Sequence, residues 1–260
     1  MRCKEIMEII ESAYPKDAAL SFDNVGLQAG RQNKEVKKVY LALDATEKVI
    51  ADSIQKETDM LITHHPLVFS PLKAVTDEDF VSRRILTMIQ NDMAYYAMHT
   101  NYDVLGLSPL LGRRLGLTET EILEETMASD GGAEGIGRIG ELKSTKTLEE
   151  CCTFVKEILG LENVKVFGDL SREVKRLAVS PGSGKSAVVP ALRKGADVLV
   201  TGDIGHHDGL DALERGLCVI DAGHYGTEYI FMEDMKHFLM EHCPELTVET
   251  AEVKIPFQTV

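Results

Sequence analysis

The sequence lacks a long apolar run, because no stretch approaches the roughly 18 consecutive apolar residues that a membrane-spanning helix needs. It also lacks the pattern of a signal peptide, since Glu5 and Glu8 interrupt the apolar residues of the N-terminal segment. Those apolar residues recur at helical spacing, which predicts an amphipathic helix that ends near Pro15. We therefore expect a soluble protein that stays in the cytoplasm.

Cysteine is scarce. The chain has five cysteines, an odd number, and no C-x-x-C pair. This pattern argues against a disulfide framework and against a zinc site built from thiolates. A reducing compartment is therefore expected, in agreement with a cytoplasmic location.

Positive charge is also in short supply, with 28 Lys and Arg residues against 42 Asp and Glu residues and a formal net charge of −14. Such an excess repels phosphate backbones and anionic membrane surfaces. We therefore expect no membrane partner and no nucleic-acid partner. A nucleic-acid adaptor would need a basic surface stripe, and the residues available to form it are Lys34, Lys37, Lys38, Arg172, Lys175 and Arg176.

Several common catalytic motifs are absent. The sequence contains no H-E-x-x-H, no G-x-S-x-G, no G-x-G-x-x-G after a strand and no zinc-deaminase signature. The segment from Ser180 to Ser186 ends in Gly-Lys-Ser like a P-loop, but Val179 occupies the position that requires the first glycine. Its glycine turn is interpreted either as a weak phosphate site or as tight packing of a strand on a helix.

The 260 residues are enough for one large or two small domains. Short apolar runs at 39–43, 60–63 and 94–98 alternate with helical patterns at 46–56 and 79–90. This βαβαβ order predicts an α/β fold with mostly parallel sheets flanked by helices.

A second series begins with a helix after Thr147, which forms a capping box with Glu150. Its predicted strands are 177–180, 198–201 and 219–221, and its predicted helices are 185–194 and 227–240.

The two series align when the chain is shifted by 138 positions, so that residues 34–39 fall on 172–177 and residues 59–63 fall on 197–201. We interpret this as an internal duplication that gives two related α/β lobes. The predicted lobes are residues 1–128 and 129–260, with the C-terminal segment able to pack back on the first lobe. The glycine-rich stretch 129–140 is expected to be an interdomain loop or a hairpin connection.

Side chains that bind metals follow three of the predicted strands, within residues 63–66, 99–103 and 221–228. Ligands of open parallel sheets bind beyond the carboxyl ends of the strands, so these side chains are expected at one rim. Imidazole and carboxylate together suit zinc, iron or manganese. The candidate metal ligands are His64, His65, Asp103, His224 and Glu228.

Five ligands exceed the three protein ligands of a typical catalytic zinc, so two divalent metal ions fit this set better. Two ions about 3.5 to 4 Å apart, bridged by a carboxylate and a water, would supply a hydroxide nucleophile. Asp103 or Glu228 is the expected bridge. For each single histidine, a capping or core role is the competing interpretation.

Four further side chains are expected near the same rim: His99, Asp203, His206 and His207. They fit proton transfer or the orientation of ligands, but the stretch 202–208 is also typical of a loop with solvated histidines. Of these residues, His99 and His207 are the candidate catalytic residues.

A spaced set of motifs runs through nearly the whole chain. It comprises D-N-V-G-L from Asp23, T-H-H-P-L from Thr63, H-T-N-Y-D from His99, G-R-I-G-E-L from Gly137, T-G-D from Thr201 and G-H from Gly223 followed by Glu228. The set resembles the NIF-three-like family, whose members are often labelled GTP cyclohydrolase 1 type 2 homologs. The chain differs from the family in having Phe22 where tryptophan is common and in lacking the inserted domain of longer members.

The resemblance implies two α/β lobes, a dinuclear metal site between them and a homohexameric ring. It assigns the metal ligands to the same five residues that the strand ends identify.

Two functions are compatible with this site. One is a metal-dependent hydrolase whose metal-bridging hydroxide attacks a small molecule, for example in opening the imidazole ring of GTP, with His99 or His207 relaying protons. The alternative is a non-enzymatic metal-binding protein, either a metallochaperone or a regulatory scaffold.

Overall fold

A computed structural model describes residues 1–129 and 132–258 of the chain. Contacts divide it into two units, Met1–Tyr102 with Tyr229–Val253, and Asp103–Glu228 with Lys254–Val260. Each unit contains one β-sheet accompanied by helices, so the predicted α/β class is confirmed. Within the described residues, no helix is both long enough and apolar enough to cross a membrane.

The secondary structure is given in chain order. The strands are β1 (Gly26–Ala29), β2 (Lys38–Ala42), β3 (Met60–Thr63), β4 (Ala94–Ala97), β5 (Thr118–Ser129), β6 (Gly132–Thr147), β7 (Lys165–Phe167), β8 (Glu173–Ser183), β9 (Val198–Gly202), β10 (Cys218–Asp221) and β11 (Thr247–Thr250). The helices are α1 (Cys3–Ala13), α2 (Glu47–Gln55), α3 (Phe80–Gln90), α4 (Thr100–Tyr102), α5 (Ser108–Arg114), α6 (Leu148–Ile158), α7 (Val188–Arg193), α8 (His206–Glu214), α9 (His224–Glu228) and α10 (Ile230–His242). A 3-10 turn (Lys16–Ala18) and a π-helical turn (Asp103–Leu107) are also present.

The sheet of the first unit has the order β1-β4-β3-β2-β11. Strands β4, β3, β2 and β11 are parallel to one another, and β1 pairs with β4 in the antiparallel direction. The predicted strands at 39–43, 60–63 and 94–98 are therefore confirmed as β2, β3 and β4. All four residues of β3 and of β4 are buried, as expected of strands covered on both faces.

The sheet of the second unit has the order β5-β6-β8-β9-β10-β7 and is mixed. The predicted strands form its parallel centre of β8, β9 and β10, whereas β5, β6 and β7 pair in the antiparallel direction. Strands β5 and β6 form a long hairpin that includes the described part of the glycine-rich stretch, and residues 130 and 131 lie outside the described residues. The expected boundary after residue 128 lies in this hairpin, whereas the two units separate after Tyr102 and after Glu228.

Two helices agree with the features predicted for them. Helix α1 buries Cys3, Ile6 and other apolar residues at helical spacing. In α6, the Thr147 backbone N–H donates to Glu150 Oε2 at 2.8 Å, and the Glu150 N–H donates to Thr147 Oγ1 at 3.2 Å. The amphipathic helix that ends near Pro15 and the capping box of Thr147 and Glu150 are therefore confirmed.

Other helix predictions need correction. The loop expected at 202–208 is wrong from His206 onward, because α8 begins there. The helix predicted at 185–194 is shorter, since α7 begins only at Val188. The helix predicted at 227–240 is two helices, α9 and α10, separated at Tyr229.

The repeat of 138 positions reappears in the hydrogen bonds of the two units. Asp59 Oδ2 accepts from the backbone N–H groups of Lys37 and Lys38 at 2.8 and 3.1 Å. The residue 138 positions later, Asp197, accepts from the two equivalent N–H groups at the start of β8 at 2.9 and 2.8 Å. The same shift relates the register of β2 on β3 to that of β8 on β9. These local structures support the interpretation of a duplication.

Candidate metal centre

His64 and His65 follow β3, where the backbone holds them in a fixed turn. Thr63 Oγ1 and the Tyr95 hydroxyl both donate to the His65 carbonyl oxygen, at 2.7 and 3.1 Å. The His65 N–H donates to the Leu43 carbonyl at 2.9 Å, which ties the turn to the end of the neighbouring strand. The two imidazole rings have centroids 5.1 Å apart, so adjacent histidines at this strand end do come together.

The surroundings of the two rings differ. The His64 side chain is completely buried, and its ring lies 5.3 Å from the ring of Phe231. His65 is partly exposed, and its Nδ1 lies 2.8 Å from Asp44 Oδ1. A carboxylate on one imidazole nitrogen fixes the ring and raises its basicity, as is typical of histidines that bind metals. A metal would therefore bind His65 through Nε2.

The second unit presents a similar histidine–carboxylate pair on α9. His224 Nδ1 lies 3.0 Å from Asp203 Oδ2, and His224 Nε2 lies 3.1 Å from Glu228 Oε2. The helix begins at His224, so the predicted common face of His224 and Glu228 is confirmed. The orienting role considered for Asp203 therefore has a structural basis.

Asp221 organises the turns around this pair. Its carboxylate accepts from the N–H groups of Asp203 and Gly223 at 3.0 Å each, and it lies 2.8 Å from Lys165 Nζ. Asp203 itself has a positive φ of 51°, an unfavourable conformation for a residue with a side chain. The hydrogen bonds that the Asp221 carboxylate accepts stabilise the turn that aims Asp203 at His224.

The backbone conformation of Gly182 and its closeness to Glu228 favour a glycine where β8 passes this carboxylate. Gly182 has a φ of +62°, and a Cβ atom built on it would lie 2.4 Å from Glu228 Oε1. Its N–H donates to Thr227 Oγ1 at 3.0 Å, and the N–H of Gly184 donates to the Gly202 carbonyl at 2.9 Å. These two amides of the P-loop-like segment are therefore engaged within the protein, which favours the packing interpretation of this turn.

Asp103 begins the π-helical turn and is 7% exposed. Single π-helical turns are rare and are often found at functional sites. The π-helical turn directly follows the short helix α4. Its irregular backbone and the burial of Asp103 distinguish this residue from an ordinary surface carboxylate.

His99 is paired with Asp23, a residue to which the sequence pattern alone assigned no role. His99 Nδ1 lies 2.9 Å from Asp23 Oδ1, and the Thr100 N–H donates to Asp23 Oδ2 at 2.9 Å. Burial by itself would raise the pKa of Asp23, but the hydrogen bonds from His99 and Thr100 outweigh it and lower the pKa to about 2. The ring of His99 lies 5.5 Å from that of His64 and 5.8 Å from that of His65.

His207 lies in the first turn of α8 and is exposed. Its ring is 5.2 Å from that of His206. The catalytic role of His207 stays a prediction.

The donor chemistry of these side chains fits a divalent metal. The first unit supplies the imidazoles of His64 and His65, and the second unit supplies the imidazole of His224 and the carboxylate of Glu228. Imidazoles and carboxylates suit zinc, iron or manganese, and the carboxylates on His65 and His224 supply the expected outer contacts.

Comparisons with known proteins give a consistent result. The sequence model of Duf34/NIF3 (NGG1p interacting factor 3) matches residues 1–257. The chain is 33% identical over 264 residues to a Clostridium perfringens protein named GTP cyclohydrolase 1 type 2 homolog, covering 100% of both chains. It is 35% identical over 247 residues to a Streptococcus pneumoniae protein of the same name, covering 93% of this chain and 91% of the relative. A crystal structure of a Bacillus cereus protein related to NIF3 has a TM-score of 0.94 at 28% identity, covering 100% of this chain and 99% of that one.

Proposed function

The chain belongs to the Duf34/NIF3 family, and we propose that it is a metal-dependent hydrolase with a dinuclear site. The observation that carries the proposal is the carboxylate on Nδ1 of both His65 and His224, an arrangement typical of metal-binding histidines. The proposed ligands are His64, His65, Asp103, His224 and Glu228. Zinc, iron and manganese suit these donors.

Divalent metal ions would supply Lewis acidity and would make water a nucleophile near neutral pH. We assign the second chemical step, proton transfer, to a side chain of the protein. His99 is partly buried, with 17% of its side chain exposed, and Asp23 fixes its Nδ1. In our proposal its Nε2 accepts a proton from the attacking water and returns it to the leaving group. His207 is the second candidate for this proton transfer.

The name GTP cyclohydrolase 1 type 2 homolog, carried by several relatives, suggests the reaction class to be tested. In that reaction water would add to the carbon between the two nitrogens of the imidazole ring of GTP, and a carbon–nitrogen bond would break. The chain's contribution would be to hold the base beside His99 and to move the proton.

Elemental analysis of untagged protein tests the metal site. The protein is kept anaerobic so that ferrous iron survives, and wild type is compared with His65→Ala and Glu228→Ala. About two ions per chain in wild type, with clear loss in both variants, are expected. The control is His237→Ala, because the His237 side chain is 75% exposed on α10. Fewer than about 0.2 ions per chain after reconstitution, unchanged by mutation, would contradict the dinuclear site.

Turnover is then measured on protein loaded with zinc, iron or manganese, using GTP and other nucleotides. The hydrolase proposal expects ring-opened product in wild type and at least a hundredfold loss of rate in His99→Ala, with metal content retained. Bound metal without turnover would instead favour the non-enzymatic function, in which the same ligands store or deliver an ion.

We also propose a homohexameric ring, which family membership implies.

A further inference from the structure

Two exposed phenyl rings lie beside His99 in the first unit. Phe22 is 60% exposed and Phe69 is 50% exposed. Their ring centroids are 6.1 Å apart with planes inclined by 36°, and Phe69 meets His99 edge-on at 6.1 Å. We name Phe22 and Phe69 the aromatic shelf. Neighbouring exposed aromatic rings next to a polar centre are typical of a ligand surface, because the fold gains no burial from them.

The backbone beneath Phe69 is held firmly. The Val68 N–H donates to Gln28 Oε1 at 2.9 Å, and the Val68 carbonyl accepts from Asn24 Nδ2 at 2.5 Å and from Gln28 Nε2 at 3.2 Å. The backbone N–H and the carbonyl of Val68, the residue before Phe69, therefore both form hydrogen bonds. The backbone that carries the ring is thus held in place, which lowers the entropy cost of binding a ligand against it.

Phe22 is anchored by the same turn that orients His99. Its neighbour Asp23 accepts hydrogen bonds from Thr100, and the Leu20 N–H donates to Thr100 Oγ1 at 2.8 Å. The segment that carries Phe22 is thus fixed to the segment that carries His99. A ligand on the shelf would be positioned relative to the proposed proton-transfer residue.

We propose that the aromatic shelf binds the purine base of a nucleotide by stacking. This inference rests on the proposed function, since it names the substrate class of that site. A base has flat faces that stack on phenyl rings and a polar edge that can face His99, whereas a lipid chain has no polar edge for this imidazole. The shelf therefore determines which ring is brought to the site of proton transfer.

The spacing of the two rings defines the mode of stacking. A base sandwiched between them would need ring planes about 7 Å apart, twice the usual carbon contact of about 3.5 Å. The centroids are only 6.1 Å apart and the planes are inclined by 36°, so the base does not fit between the rings and instead lies across one side of the pair, stacked on one ring and in contact with the other. Both phenyl rings then contribute, and loss of either one weakens binding.

The chain has no tryptophan, which allows a clean optical test. Phe22→Trp places a single indole on the shelf, and titration with GTP should quench its fluorescence saturably. The matched control is Phe80→Trp, since Phe80 is 55% exposed on α3 outside the shelf. No quenching of the Phe22→Trp protein, or equal quenching of the control, would overturn the proposal. Equal quenching by inorganic triphosphate would also overturn it, because it would assign binding to the phosphates alone.

Phe69→Leu in the Phe22→Trp background tests the second ring. The affinity for GTP should fall about tenfold, in the range of one lost base–aromatic stack. Metal content should stay at the level of the parent protein, because neither phenyl ring belongs to the proposed ligand set. Unchanged affinity would refute the shelf. The titration needs no turnover, so a protein that binds GTP on the shelf without hydrolysing it would contradict the proposed function and support this inference.

Discussion

At the scale of single residues, Asp23 shows how the fold keeps a buried charge. Its side chain has no exposed surface, and its pKa is lowered from 3.8 to about 2 because the hydrogen bonds from His99 and Thr100 outweigh burial. A lowered pKa in the folded state stabilises the protein above the unfolded pKa, and this stabilisation is lost as the pH falls through the folded pKa. Asp23→Asn should therefore reduce the free energy of unfolding by about 2 kcal/mol at neutral pH.

This difference should be constant above about pH 5 and should shrink as the pH falls toward 2. Denaturant unfolding of metal-free protein in a chelator measures it. The control is Asp77→Asn, because Asp77 lies exposed in the segment before α3 and should change stability by less than about 0.5 kcal/mol. A difference that does not narrow at low pH would contradict the assignment of this stabilisation to the Asp23 charge.

Ligands of parallel sheets bind beyond the carboxyl ends of the strands, and this rule predicted the candidate metal ligands. It did not predict every carboxylate that contacts them. Asp44 follows β2, the neighbour of the strand before His65, and Asp203 follows β9, the neighbour of the strand before His224. Asp203 is already expected at this rim from the sequence, and the same rule applied to the end of β2 would also have found Asp44. Asp23 is different, since it lies 76 residues from His99 and precedes the first strand. No local pattern could have joined those two residues.

At the scale of elements, the contact of β8 with α9 depends on Gly182. An added Cβ would lie 2.4 Å from Glu228 Oε1, and the residue has φ +62°. Gly182→Ala should therefore displace the Glu228 carboxylate and weaken metal binding about tenfold, at the lower end of the effects of disturbing a ligand's surroundings. It should also cost about 1 kcal/mol of stability from the left-handed backbone. Metal titration and thermal unfolding measure the two effects.

Gly195→Ala is a matched control for this substitution. Gly195 has a similar φ of +71°, but an added Cβ would meet nothing within 4 Å. It should lose about the same 1 kcal/mol of stability while keeping wild-type metal affinity. Equal loss of metal affinity in both variants would attribute the effect to backbone strain rather than to the contact with Glu228.

The strands and helices that could be predicted are those with a strong local sequence pattern, either a run of apolar residues or a capping motif. Strands β3 and β4 are fully buried runs and could be read from composition, as could the cap of α6. The edge strand β11 reads T-V-E-T with a single buried residue, so its pairing with β2 depends on tertiary structure. Helix α8 begins with two polar histidines and an aspartate after a glycine, a composition that resembles a loop.

At the scale of the whole molecule, the net charge of −14 is accompanied by local pairing of the basic residues. Five of the six residues considered for a basic stripe lie between 2.6 and 3.9 Å from a carboxylate, and they are Lys34, Lys37, Lys38, Lys175 and Arg176. Paired cations attract phosphate backbones weakly, because their charge is already compensated. This pairing favours the small-molecule function over a nucleic-acid adaptor.

The proposed hexamer makes a prediction about mass. Large apolar side chains outside the aromatic shelf, such as Met240 and Phe257, are 53% and 60% exposed, and subunit interfaces bury groups of this kind. Light scattering of purified protein should give a mass near six times 28.7 kDa. Assembly that survives in His65→Ala would show that the ring does not depend on bound metal, whereas a mass of 28.7 kDa for wild type at micromolar concentration would contradict the ring. If the protein is a monomer, the metal ligands and the aromatic shelf of one chain would have to act without a neighbouring subunit. The elemental analysis and the fluorescence titration would still test them.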